Sequence, residues 1–257
     1  MHGSEMTNYA FKFGYEGSYF TGFQRGNGDH SVEDTIIDTL KASGFDYAIK
    51  AAARTDRYVS ALSNVFSLET GRSPEAVAGL INSRIDHIYV HSYAEVPDDF
   101  NPRHCTFKTY RYYILRQDLD CISLDINLGK FIGTHDFRRF VRADSRNTVR
   151  TIINASCKND NGLLYLEFSA RSFLWNQIRT MVAFILDNIG VETDPFSTSE
   201  RYPRVARAQN LLLWDIYYDG IEFRKVKKIP KKMQGVYENS IMNYILAENL
   251  MHRFGIA

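Results

Sequence analysis

The sequence predicts an α+β fold of two halves, each running βαββαβ, joined in one extended, mainly antiparallel sheet with helices on one face and a cleft between the halves. Three observations carry this prediction. Strand-length and helix-length apolar runs follow one another in the same order twice, without letter-level repetition. At 257 residues the chain is long enough for two coupled halves of roughly 100 residues each. Its composition, 44% hydrophobic, 24% charged and 14% aromatic, is that of a chain that buries a sizeable core.

In the first half, residues 9–15 alternate as a strand does, and Gly17, Gly22 and Gly26 then break the chain into a loop. Ser31 followed by Asp34 has the form of an N-cap with an acidic first turn, and Ile36, Ile37 and Leu40 lie behind it at helical spacing. A short strand is expected over 47–53. The polar run Arg54-Thr55-Asp56-Arg57 has no place in a core and reads as a loop, with a return strand through Val65, Phe66 and Leu68. Ser73-Pro74-Glu75 opens a second helix, serine at the cap and proline at the first helical position. Residues 88–96 close the half as a strand. The second half predicts strands over 107–115, 149–158, 163–170 and 211–218, with helices near 125–132 and over 173–188. Beyond Asp219 the segment from Arg224 to Lys232 is strongly basic, and 236–254 reads as a terminal helix. The predicted division is 1–104, 105–220 and a basic, helical extension over 221–257.

A formal net charge of +1 announces no nucleic-acid binder, so any RNA surface must come from local clusters of basic residues. Cys105, Cys121 and Cys157 form neither an even disulfide framework nor a CxxC pair and are expected to be buried free thiols. His135 has no second histidine or cysteine at metal spacing, so it reads as structural and no metal site is expected. There is no apolar run of membrane-spanning length and no secretory leader, which predicts a cytoplasmic protein without membrane attachment.

The chemistry concentrates at Asp56, a carboxylate between two arginines in a strand-to-strand loop, where side chains project from a rigid scaffold. Taken alone, Arg54-Thr55-Asp56 reads more readily as a surface loop with a weak ion pair, worth about 0–1 kcal/mol. Its surroundings decide. Gly14-Tyr15-Glu16-Gly17 through Gly22-Phe23-Gln24-Arg25, then Ala53 to Ala61, then Phe100-Asn101-Pro102-Arg103 with Lys108-Thr109-Tyr110-Arg111-Tyr112, follow in order. Gly133-Thr134-His135-Asp136-Phe137, Val149-Arg150-Thr151-Ile152, and Phe173-Leu174 with Ile178-Arg179 complete the series.

In this order the blocks resemble the TruA family of tRNA pseudouridine synthases, of the archaeal type, over roughly residues 9–219. The resemblance implies two ferredoxin-like (RRM-like) halves, an isomerase without cofactor, a homodimer, and the anticodon stem-loop of tRNA as substrate, at positions 38, 39 and 40. It assigns Asp56 as the catalytic carboxylate, Arg179 as its ion-pairing partner, Arg54 as a support that holds the vacated base stack or a phosphate, and Tyr110 as the ring that stacks on a flipped base. Arg103, Arg57 and Tyr58 are expected at the substrate. Two departures stand out: Tyr58 occupies a position usually held by glycine, which implies a different loop path or a side chain laid along the RNA, and Trp175-Asn176 replaces a histidine-rich stretch.

Isomerising uridine breaks the N1–C1′ bond, turns the uracil and joins C5 to C1′, with no redox change and no group lost. An ionised carboxylate either attacks C1′ or removes the 2′ proton, and a paired uridine must first be extruded from its stack. The arginine–aromatic run of Arg138, Arg139 and Arg142, with Gln24 and Arg25, is the expected RNA-binding surface. Two other readings compete: a non-catalytic RNA-binding protein with a duplicated ferredoxin-like fold, and a nucleoside or glycoside hydrolase, which normally needs a second carboxylate.

Overall fold

A computed structural model describes residues 6–26, 30–45, 48–114, 119–141, 147–160, 163–228 and 230–253. Strands β1 (Thr7–Tyr15), β2 (Lys50–Ala51), β3 (Ser60–Thr70) and β4 (Ile88–Glu95) alternate with helices α1 (Val32–Ala42) and α2 (Pro74–Arg84). The helix starts follow the sequence signals. Ser31 accepts from the Asp34 amide at 3.0 Å, and Ser73 accepts from the Ala76 amide with Pro74 next to the cap. In the second half come β5 (Phe107–Ile114), α3 (Cys121–Leu128), β6 (Gly133–Asp136), β7 (Val149–Asp160), β8 (Leu163–Ala170), α4 (Gln177–Asp187) and β9 (Leu211–Tyr217). A short β10 (Arg224–Lys225) and the helix α5 (Lys232–Arg253) follow.

All ten strands belong to one sheet, in the order β10-β4-β1-β3-β9-β5-β8-β7-β6, with β2 paired to β3 off this path. Every pairing described is antiparallel except β3 with β9, where Ser60 faces Leu212 and Ala61 faces Leu213. This short parallel ladder is the seam between the two halves. On β5 the pleat sends Tyr110, Tyr112 and Ile114 into the core shared with α3 and α4, while Arg111 and Tyr113 point to the opposite face. There Arg111 pairs with Glu167 at 2.8 Å, Lys158 holds the same carboxylate at 2.6 Å, and Trp214 covers the guanidinium. A buried face and a polar face on one strand are what helices packed on a single side require.

The structure corrects the reading at several places. The helix expected near 125–132 starts at Cys121, because Asp120 caps it by accepting from the Ser123 amide, and it passes into a 3₁₀ turn at Gly129–Phe131. The helix expected from 173 starts at Gln177, since Asn176 stands at φ 61° and cannot continue a right-handed turn backwards. The strand expected over 47–53 is two residues long; Tyr47 and Leu115 lie outside the described residues. The free-thiol expectation holds for Cys105 alone. Cys121 and Cys157 are joined in a disulfide, brought together because α3 packs on β7 although 36 residues separate them. No helix among the described residues is long and apolar enough to cross a membrane, and none of their acidic, histidine or cysteine side chains cluster as a metal site would.

Candidate active site

The loop between β2 and β3 is held at both ends before it presents anything. Asn64, fully buried in β3, clamps Ala53 with both halves of its amide, accepting from the Ala53 N–H at 3.2 Å and donating to its carbonyl at 3.0 Å. Lys108, on β5 of the other half, donates to the Ala52 carbonyl at 2.6 Å. Burial lowers the pKa of this lysine, so its ammonium depends on that acceptor. Thr55 is pinned inward: its hydroxyl lies 2.7 Å from the Tyr15 hydroxyl and its carbonyl accepts from the Phe23 amide.

A turn closes the loop, the Val59 N–H donating to the Asp56 carbonyl at 3.2 Å. Tyr58 sits in that turn at φ 71°, the left-handed region that glycine enters freely and a side chain enters at a cost of roughly 1–2 kcal/mol. The departure at Tyr58 is thus absorbed by the tyrosine backbone itself, and the Arg57 guanidinium lies over its ring at 4.7 Å. Gly17 makes the turn possible. A Cβ there would stand 2.3 Å from the Val59 carbonyl oxygen and 2.7 Å from the Tyr58 carbonyl carbon.

Asp56 faces a cleft of about 730 Å³ whose walls come from both halves. The Arg179 Nη1 donates to Asp56 Oδ2 at 3.1 Å, and the Trp175 indole N–H donates to Oδ1 at 3.0 Å. Arg179 is itself held: its Nε donates to the Ala206 carbonyl at 2.8 Å and Nη1 also to Asn176 Oδ1 at 3.1 Å. Tyr110 lines the same cleft from β5, 8% exposed, with the Phe173 ring against it edge-on at 5.3 Å. Burial, first of all, and then the nearby Tyr15 and Asp56 push its hydroxyl pKa far above the usual phenol value, so it stays protonated. Two further polar atoms in the lining, Thr21 Oγ1 and Gln177 Nε2, are buried without a protein partner.

Of the residues singled out in the sequence, Asp56, Arg179, Tyr110, Arg54, Arg57, Tyr58 and Gln24 converge on this cleft. The others do not. Arg103 is exposed outside it, and Arg25 is ion-paired to Asp34 at 2.9 Å. Arg138 pairs with Asp136 and borders a separate pocket with His135. The same aspartate, helped by the Arg138 and Thr148 hydrogen bonds, has its pKa drawn down to about 2. Arg139 departs from the surface role expected of it: its guanidinium lies against the Phe184, Phe140 and Tyr202 rings and Nη1 donates to the Pro195 carbonyl at 2.7 Å. Arg142 lies outside the described residues. His135 stacks on Phe196 at 4.3 Å and bonds to the Ile132 carbonyl, a structural arrangement. The sequence reading missed Asn64, Lys108 and Trp175. A signal existed for Asn64, a lone amide amid an apolar strand.

A family model described as tRNA pseudouridine synthase matches residues 128–219. The tRNA pseudouridine synthase A of Thermoplasma volcanium is 48% identical over 243 residues, covering 95% of this chain and 98% of its own. That of Picrophilus torridus is 38% identical, covering 84% of each chain, and that of Pyrococcus abyssi 36%, covering 92% and 96%.

Proposed function

The chain belongs to the tRNA pseudouridine synthase A family and so isomerises uridine in tRNA, and we propose that it acts on the anticodon stem-loop, at positions 38, 39 or 40, with Asp56 as catalytic carboxylate. One observation carries the residue assignment: a carboxylate from one half meets a fixed guanidinium from the other at the wall of a cleft that also holds a buried tyrosine. Asp56 is the only carboxylate among the described residues lining that cleft, which disfavours hydrolysis by paired acids. An ion pair placed this way has no use on a passive phosphate-binding face, which disfavours the non-catalytic reading.

A flipped uracil entering the cleft meets Tyr110, Phe173 and the exposed guanidinium of Arg54, with Thr21 Oγ1 and Gln177 Nε2 as hydrogen-bonding groups for its polar edge. The Asp56 carboxylate attacks C1′ as the N1–C1′ bond breaks, or takes the 2′ proton as N1 leaves; the base turns and C5 bonds to C1′ as the carboxylate departs from C1′ or returns the 2′ proton, and the C5 proton leaves as N1 gains one. Mapping pseudouridines in unmodified tRNA transcripts after incubation with the protein tests the proposal. Product at 38, 39 or 40 is expected, and product confined to another arm of the tRNA refutes the substrate assignment.

The protonated Tyr110 hydroxyl accepts the C5 proton only while passing its own on, so its contribution separates cleanly from that of the ring. Tyr110→Phe is expected to bind tRNA as the parent does and to turn over about 10²–10⁴-fold more slowly. Tyr110→Ala should in addition lose about 1–3 kcal/mol of binding, the worth of a base–aromatic stack. Single-turnover rates and equilibrium binding measure both. Unchanged values for the alanine variant would leave Tyr110 as a core residue only.

A further inference from the structure

Each oxygen of the Asp56 carboxylate has its own donor, and the two donors come from neighbouring residues with different supports. Arg179 on Oδ2 is tied to the Ala206 carbonyl and to Asn176. Trp175 on Oδ1 stands just before the left-handed Asn176, which turns the chain sharply into α4 and leaves the indole outside the helix. The Trp175 side chain remains 54% exposed, so burial of its ring does not explain its placement. A carboxylate held at one oxygen still rotates about Cβ–Cγ, because that torsion is broad and roughly two-fold. Held at both oxygens, its plane is defined.

We propose that Trp175 is a positioning residue for the isomerisation, its indole N–H fixing the plane of the Asp56 carboxylate against the Arg179 contact so that one lone pair of Oδ1 faces the ribose of the bound uridine. This rests on the reading of Asp56 as the catalytic carboxylate. A plane misset by a fraction of an ångström at the reacting atom slows the chemical step without weakening binding.

The test uses the full chain and unmodified tRNA transcript. Trp175→Phe keeps a ring and removes the N–H; its single-turnover rate at saturating tRNA should fall about ten- to a hundredfold, with Kd within about twofold and an unchanged melting temperature. Trp175→His restores a donor, since its Nε2–H stands at the same bond separation from Cβ as the indole N–H, and should recover most of the rate. A phenylalanine variant as fast as the parent overturns the proposal, as does one that loses only affinity, or one that histidine does not rescue. Asp56→Asn assayed alongside separates the two claims. If it turns over normally, the reading of Asp56 fails; if it is inactive while Trp175→Phe is fully active, only the role of Trp175 fails.

Discussion

Replacing Asp56 by asparagine is expected to lower pseudouridine formation by at least about 10³-fold while tRNA affinity changes less than about twofold. The amide matches the carboxylate in volume, and its oxygen still accepts from the Trp175 N–H, so the shape of the cleft is retained. What disappears is the charge, and with it both the nucleophile or base and the attraction that orients Arg179 at 3.1 Å. Binding and product formation measured on the same tRNA preparation distinguish loss of chemistry from loss of recognition. A variant near the parental rate would remove Asp56 from the mechanism.

The second large effect concerns folding. Gly17→Ala should cost about 3 kcal/mol or more, because the added methyl carbon meets the Tyr58–Val59 backbone at 2.3–2.7 Å, and backbone on both sides has little room to yield. For a chain of this size that is a drop in melting temperature of about 6–12 °C. Gly79→Ala provides the contrast. Gly79 lies inside α2 with open space where its Cβ would go, so alanine there should stabilise by about 0.5–1 kcal/mol. Thermal unfolding of the two variants beside the parent checks both, and equal midpoints for Gly17→Ala and the parent would refute the close approach.

The contrast between what the sequence disclosed and what it hid has physical causes. Local signals survived folding well: the caps at Ser31 and Ser73, the strand β1, and the polar loop around Asp56 all depend on neighbours in the chain. Family order placed Arg179 opposite Asp56, and the side chains do meet. The β3–β9 seam was invisible because two residue pairs make no periodicity. Trp175 was noticed as a departure but given no role because its partner is 119 residues away, and the Cys121–Cys157 pair was missed because α3 and β7 meet only in three dimensions. The prediction began α4 four residues early, at 173 instead of Gln177, since nothing in the neighbouring apolar spacing marks Asn176 as a left-handed residue. Arg139 misled for the opposite reason: an arginine amid aromatics serves a ring cluster as readily as a phosphate.

The seam has a consequence for how this protein ages or fails. Asp56 enters the cleft four residues before the parallel ladder begins at Ser60, while Tyr110 and Arg179 arrive from beyond it, so neither half owns the whole of the proposed reaction centre. Slippage between the halves therefore parts the acid from its guanidinium before either half has lost its own strands. Turnover becomes a gauge of registration between two bodies, and heat, denaturant or a distant core defect should silence the enzyme while spectroscopic signs of sheet and helix are still intact.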